Sequence, residues 1–299
     1  MDETVLDAKP NGEGLPAQRY RSRPEIIGAI LVRAGRLTEV EAEQIHETAV
    51  RDNALFGVTG VRLKRLTPDD VEYALSRQLE FPRLAVATST SISKDVVAAH
   101  DADASACEDL RTIRTRLMTG WMVKTDRAVL AITSPERGEG RSWLAANLAM
   151  VFAQCGKRTL LIDADLRHSS QHRLFNLDNN VGLTALLSSR GSRQIVQRIH
   201  PDLRLFVMPA GPAVLNPQDL LSRRVLDMAL ERFSRKFDLI VLDTPAAVDT
   251  ADAEILATCA GAALLVSRKH HTRHSALLTA MDSLKRSNVR IIGTVMNDH

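Results

Sequence analysis

The segment AVLAITSPERGEGRSWLAANLAMVFAQ, residues 128–154, constrains this chain more than any other. A strand-length apolar run enters a loop containing Gly138 and Gly140, and an apolar helix opens at Ser142. Glycines at such a turn let backbone N–H groups face inward around an anion, and the helix N-terminus adds a favourable dipole. The loop meets the phosphate-loop pattern GxxxxGK[ST] at Gly140 and Ser142 but carries Pro135 for the first glycine and Arg141 for the lysine. An ordinary βα turn with two glycines is the alternative for the loop in isolation. On the phosphate-loop reading, Gly138, Glu139, Gly140, Arg141, Ser142 and Trp143 are the candidate nucleotide contacts. Trp143 could press on the nucleotide or pack on a neighbouring helix.

Two later strands narrow the choice. TLLIDADLR ends in Asp163 and Asp165, and FDLIVLDTP ends in Asp243. In open α/β sheets ligands bind at the carboxyl ends of strands, and carboxylates there can hold Mg²⁺ and orient an attacking group. Ser142, Asp163 and Asp243 are therefore candidate Mg²⁺ residues; Arg141, Asp163, Asp165 and Asp243 are candidate catalytic residues, with Asp165 orienting or deprotonating the acceptor. Further apolar runs, LRLFVMPA, GAALLVS and VRIIGTVMN, alternate with helical stretches such as PQDLLSRRVLDMALERFSRK. This alternation predicts an α/β fold with a mostly parallel sheet flanked by helices, the P-loop NTPase class.

SPERGEGRS, LLIDADLR and FDLIVLDTP together resemble the Walker A, A′ and B motifs of bacterial tyrosine kinases (BY-kinases) of exopolysaccharide synthesis, and more narrowly the chain-length determinant tyrosine kinase EpsG type. The resemblance runs from about Ala106 to Asn297. It implies ATP and Mg²⁺ as cofactors, tyrosine kinase activity, and a Wzz-like membrane chain-length determinant as partner. Glu108, Arg111 and Arg114 reproduce the family's ExxRxxR segment, which implies a homo-oligomer. Two tyrosines, Tyr20 and Tyr73, are present and the sequence ends MNDH, whereas the family usually ends in a tyrosine cluster. A rival is therefore a catalytically degenerate nucleotide-binding regulatory subunit of the polysaccharide export machinery, which Arg141 also favours. A second rival, a ParA/MinD-type ATPase, expects a lysine that Glu136 and Arg137 do not provide.

Upstream, residues 1–22 have a composition that predicts a disordered tail. Residues 23–82 predict a small helical domain with two LT-x-x-(D/E) helix starts, at Leu37 and Leu66, suggesting an internal repeat. This part resembles the MshEN-type domain of secretion and pilus ATPases. Phe56, Gly57 and Gln78 fit that pattern, but Leu55 and Lys64 replace its arginine and second glycine, so cyclic di-GMP is not expected and a docking role is. Residues 83–105 read as a linker, and 106–299 as the nucleotide-binding domain. KHHTRH at 269–274 reads as a solvated loop, and Asp252 as a helix N-terminal acid or a site residue.

A net charge of +3, from 39 basic and 36 acidic residues, gives no field that would gather nucleic acid. Cys107, Cys155 and Cys259 lie far apart, which suits a reducing compartment. No apolar run approaches the roughly 20 residues that cross a bilayer. The expectation is a cytoplasmic protein without direct membrane insertion, peripheral to the inner membrane through its partner.

Overall fold

The computed structural model describes residues 27–298 apart from 53, 69, 72–73, 75–91, 101–103, 189–194, 202, 223 and 249. The expected tail, Tyr20, Tyr73, Gln78 and the first part of the expected linker lie outside them. Two compact units are present, divided at residues 81 and 82.

In the first unit, α1 (Ile27–Arg33), α2 (Glu39–Arg51) and α3 (Phe56–Arg62) surround Leu31, Leu37, Ile45 and Leu66. The repeat suggested by the two LT starts is structural. Thr38 accepts from the Glu41 amide while the Glu41 carboxylate accepts from the Thr38 amide, and Thr67 and Asp70 repeat this reciprocal capping at the second start. Each copy also holds the other: Arg36 pairs with Asp70, and Arg65 with Glu41, both at 3.0 Å. Such exposed pairs add little stability. Lys64, which replaces the second glycine of the pattern, keeps a glycine-like turn by adopting the left-handed conformation at φ 55°, as Gly35 does at 67° in the first copy.

The second unit is built on a seven-stranded sheet with order β3-β4-β2-β5-β1-β6-β7. Its strands are β1 (Val129–Thr133), β2 (Thr159–Asp163), β3 (Gln197–Arg198), β4 (Leu205–Met208), β5 (Leu239–Asp243), β6 (Ala262–Arg268) and β7 (Arg290–Asn297). All pairings are parallel except β3 with β4. Parallel strands covered on both faces must be apolar throughout, and β1, β2 and β5 are buried at every position. Their side chains divide by parity: Leu130 and Ile132 join one core, Val129 and Ala131 the opposite one.

The first core is sealed by α6 (Arg141–Gln154), which follows β1. Twelve of its residues are buried, so it is apolar nearly all round and lies inside the unit. The segment expected as linker contributes to this core from Ile92 onward: Ile92 and Val96 are buried, and α4 (Val97–His100) lies on α6. Two buried amides hold it there. Asn147 accepts from the Ala98 amide and donates to the Asp95 carbonyl, and Gln154 donates to the Ala98 carbonyl. These bonds span about 50 residues of sequence, beyond the reach of a local compositional reading. The stretch PQDLLSRRVLDMALERFSRK forms two helices rather than one, Pro217–Leu221 and Val225–Ser234.

Candidate functional site

The parallel register places Asp163 of β2 directly beside Asp243 of β5, and Ile132 of β1 beside Asp243. The loop after β1 and the two carboxylates therefore open onto the same sheet edge, beside the N-terminus of α6.

The loop is held largely by its own groups. Gly140, at the N-cap of α6, has φ 94°, and a Cβ there would run into the Asn297 side chain. Ser134 Oγ donates to the Glu136 carbonyl at 2.8 Å, and the Glu136 amide donates to Glu139 Oε2 at 2.7 Å. Glu139, expected among the nucleotide contacts, is fully buried; its other carboxylate oxygen accepts from the Thr272 hydroxyl. The Glu139 side chain thus shapes the loop, and its backbone N–H is what it can offer a ligand. The stretch expected as a solvated loop is largely exposed, and its Thr272 also holds the phosphate loop. Besides Thr272, Arg268 donates to the Gly138 carbonyl at 3.3 Å, and His271 lies 3.9 Å from Glu136. Asn297, at the end of β7, donates to the Glu139 carbonyl.

Arg141 is 9% exposed and runs beneath the loop. Its Nε donates to the Thr244 carbonyl at 3.0 Å, and its Nη1 to Ser134 Oγ and, at 2.7 Å, to the Glu136 carbonyl. A planar fork can tie the loop to the end of β5 in this way, where an ammonium would be a single mobile charge. Trp143 packs on the first core and also lines a cavity of about 120 Å³ beside Gly140, with Asp109, Asn297 and Asp298 on its other sides.

The carboxylates are arranged differently. Asp163 Oδ2 accepts from the amides of Ser170 and Gln171, both at 2.9 Å. Asp243 Oδ2 accepts from Gln171 Nε2 at 2.7 Å, and the Ser142 hydroxyl also favours the charged Asp243 carboxylate. Asp163 Oδ1 and Asp243 Oδ1 are buried without partners. Burial, and then the charge of Asp243, push the Asp163 carboxyl well above the usual range; burial pushes Asp243 up to about 6. Two buried carboxylates with orphaned oxygens, next to a hydroxyl, are a donor set for a hard divalent cation. Among the described residues no cluster of three or more His, Cys, Asp or Glu forms a ready cage. Mg²⁺ suits such a site, since it is commonly held by one or two carboxylates together with phosphates and waters.

Asp165, 6% exposed, accepts from the amides of Arg167 (3.2 Å) and His168 (2.8 Å) at one oxygen. Asp252 is buried at the start of the helix Asp252–Ala260 and pairs with Arg167 at 2.8 Å, joining the segments after β2 and β5. Gln171 is the residue that sequence reasoning missed. It contacts Asp163, Asp243 and the Ser142 carbonyl at once, yet its local sequence, HSSQHR, carries no motif that would mark it.

The ExxRxxR residues lie on α5 (Ser105–Arg116) and do not share one environment. Glu108 is exposed and pairs with Arg111 at 3.2 Å. Arg114, expected with them at an interface, is buried, and its Nη1 donates to the Val151 carbonyl of α6.

A family model described as an AAA domain matches residues 127–290. The tyrosine-protein kinase YwqD of Bacillus subtilis (strain 168) is 35% identical over 206 residues, covering 69% of this chain and 86% of YwqD. The tyrosine-protein kinase etk of Escherichia coli (strain K12) is 30% identical over 279 residues, 91% of this chain but 36% of etk, so the chain spans about a third of that longer relative. The solved kinase domain of E. coli ETK superposes with a TM-score of 0.65 at 30% identity, covering 68% of this chain and 79% of the domain. The septum site-determining protein MinD of Pyrococcus horikoshii shares the fold at TM-score 0.50 and 20% identity over 57% of this chain and 70% of that one.

Proposed function

Because this chain belongs to the bacterial tyrosine-protein kinase family of P-loop proteins, we propose that it binds ATP and transfers the terminal phosphoryl group to a tyrosine hydroxyl, in the service of exopolysaccharide chain-length control. The observation that carries this reading is the pair of orphaned buried oxygens on Asp163 and Asp243, set beside Ser142 at the mouth of a phosphate loop.

The backbone N–H groups of Gly138, Glu139 and Gly140 and the start of α6 bind the phosphates. Arg141 keeps the loop open in the shape that presents them. Ser142, Asp163 and Asp243 hold Mg²⁺, which when bound offsets the negative charge of the phosphates. Asp165, steadied by the amides of Arg167 and His168, accepts the proton of the attacking hydroxyl. The cavity beside Trp143 takes the base end of the nucleotide. Glu108 and Arg111 meet a neighbouring subunit, with Arg114 bracing α5 from within. The cytoplasmic part of a Wzz-like membrane protein is the proposed partner, and the N-terminal unit a docking module. No described helix is long and apolar enough to cross a membrane.

A second reading, a non-catalytic nucleotide sensor, is favoured by one observation: Arg141 commits two of its guanidinium nitrogens to the protein. Incubation with labelled ATP and Mg²⁺, with and without the partner's cytoplasmic tail, separates the two. Label on tyrosine supports the kinase; binding without ADP production, even with partner, rejects it.

A further inference from the structure

Arg141, lodged under the phosphate loop, commits its Nε and Nη1 to Thr244, Ser134 and Glu136. A second arginine in the same loop reaches outward to the segment that carries Asp165. Arg137 is exposed, and its Nη2 lies 3.1 Å from Nδ1 of His168 in the segment after β2. His168 in turn donates its amide to Asp165 Oδ1 at 2.8 Å, and its Nδ1 lies 3.9 Å from that same oxygen. The Arg137 guanidinium therefore reaches from the phosphate loop to the turn that carries the proposed proton acceptor. Its backbone is fixed on both sides: the Glu136 carbonyl is taken by Arg141, the Glu136 amide by Glu139, and the Gly138 carbonyl by Arg268. The constrained backbone sets where the side chain starts, and the contact with His168 sets where its guanidinium lies, beside the Asp165 turn.

We propose that Arg137 is the catalytic cation of this protein, donating to the oxygens of the transferring phosphoryl group, and that His168 positions it. The inference rests on the phosphoryl-transfer reading above. In the step it serves, the acceptor oxygen forms a bond to the terminal phosphorus as the bridging P–O bond to ADP breaks. The hydroxyl proton passes to Asp165, and Arg137 stays protonated throughout, stabilising charge on the equatorial oxygens. Arg141 braces the loop and Arg137 reaches the reaction, so two arginines stand where the ordinary pattern has a single mobile lysine.

The test compares wild type, Arg137→Ala, Arg137→Lys and His168→Ala in single-turnover assays with MgATP, alongside Kd for a fluorescent ATP analogue. Arg137→Ala is expected to slow turnover at least about tenfold while Kd stays within about threefold, as for loss of an interaction made only in the transition state. Arg137→Lys should recover part of the rate, and added methylguanidinium should speed Arg137→Ala but not wild type. His168→Ala should slow wild type and add nothing further in the Arg137→Ala background. Turnover of Arg137→Ala within about twofold of wild type would overturn the proposal, and so would a loss that tracks Kd and is not rescued. Wild type that binds the analogue yet turns over no ATP overturns the phosphoryl-transfer reading and this inference with it.

Discussion

The phosphate loop and the carboxylate floor face one another across the site, yet they are built on opposite principles. The loop meets its polar demands internally: Glu139, Arg141 and Ser134 bond to its own backbone, and Thr272, Arg268 and Asn297 clasp it from outside. The floor leaves acceptors unmet, at Asp163 Oδ1 and Asp243 Oδ1, in a setting where unpaired charge is expensive. A satisfied loop keeps its shape before any ligand arrives; an unsatisfied floor stores repulsion that a cation relieves. The contrast separates the part of the site that is preset from the part that a ligand completes.

The largest expected effect tests the floor as chemistry. Asp165→Ala should lower phosphoryl transfer by about 10²- to 10⁴-fold, the usual contribution of a positioned base, with nucleotide affinity nearly unchanged. Unaltered turnover would falsify its assignment as proton acceptor. Next in size, Gln171→Leu removes the residue that ties Asp163, Asp243 and α6 together. Calorimetry should show Mg²⁺-dependent nucleotide binding weakened by about 10- to 100-fold, as for loss of a group that orients metal ligands. Magnesium-free binding should hardly move.

A pair of substitutions puts the contrast itself at risk. Thr272→Val strips a partner from buried Glu139 and should destabilise the protein by about 1–3 kcal/mol. Asp243→Asn, neutralising an orphaned acceptor, should instead raise the thermal midpoint of the ligand-free protein while abolishing its response to Mg²⁺. Two shifts of the same sign in differential scanning would end the distinction drawn between loop and floor.

The smallest effect is in pH. Asp163 and Asp243 titrate higher in the folded protein than in the unfolded chain, so the folded state binds more protons and their contribution to stability is largest in acid. For Asp243 that contribution is present below its ordinary value near 4 and lost as pH rises through about 6. Ligand-free protein should therefore lose stability over that interval by chemical denaturation, and saturating Mg²⁺ should flatten the decline. A decline unchanged by Mg²⁺ would detach the carboxylates from the metal.

Much of the molecule was legible in the chain. The runs AVLAIT, TLLIDAD, LRLFVMPA, LIVLDTP, GAALLVS and VRIIGTVMN became β1, β2, β4, β5, β6 and β7; the central strands β1, β2 and β5 are apolar because both their faces are buried, whereas the edge strand β7 is only partly covered. The two-residue β3 carried no such signal. The LT starts read correctly because a capping box is written within four residues. The contents of the linker were misread from Ile92 onward, since what holds that segment is Asn147 and Gln154, some 50 residues away.

The sequence by itself determined the α/β class, the strand ends that carry Asp163, Asp165 and Asp243, and the helix that begins at the phosphate loop; all follow from local periodicity and turn chemistry. Only the tertiary structure decided where the charges go. Arg141 folded under the loop, Arg137 reached His168, Glu139 turned inward to Thr272, and Gln171 bridged two aspartates 80 residues apart in the chain. Each of those choices depends on which donor meets which acceptor in the folded chain. For Arg141 with Thr244, Glu139 with Thr272 and Gln171 with Asp243 that is fixed by strand order and register, and no short window of sequence contains both partners.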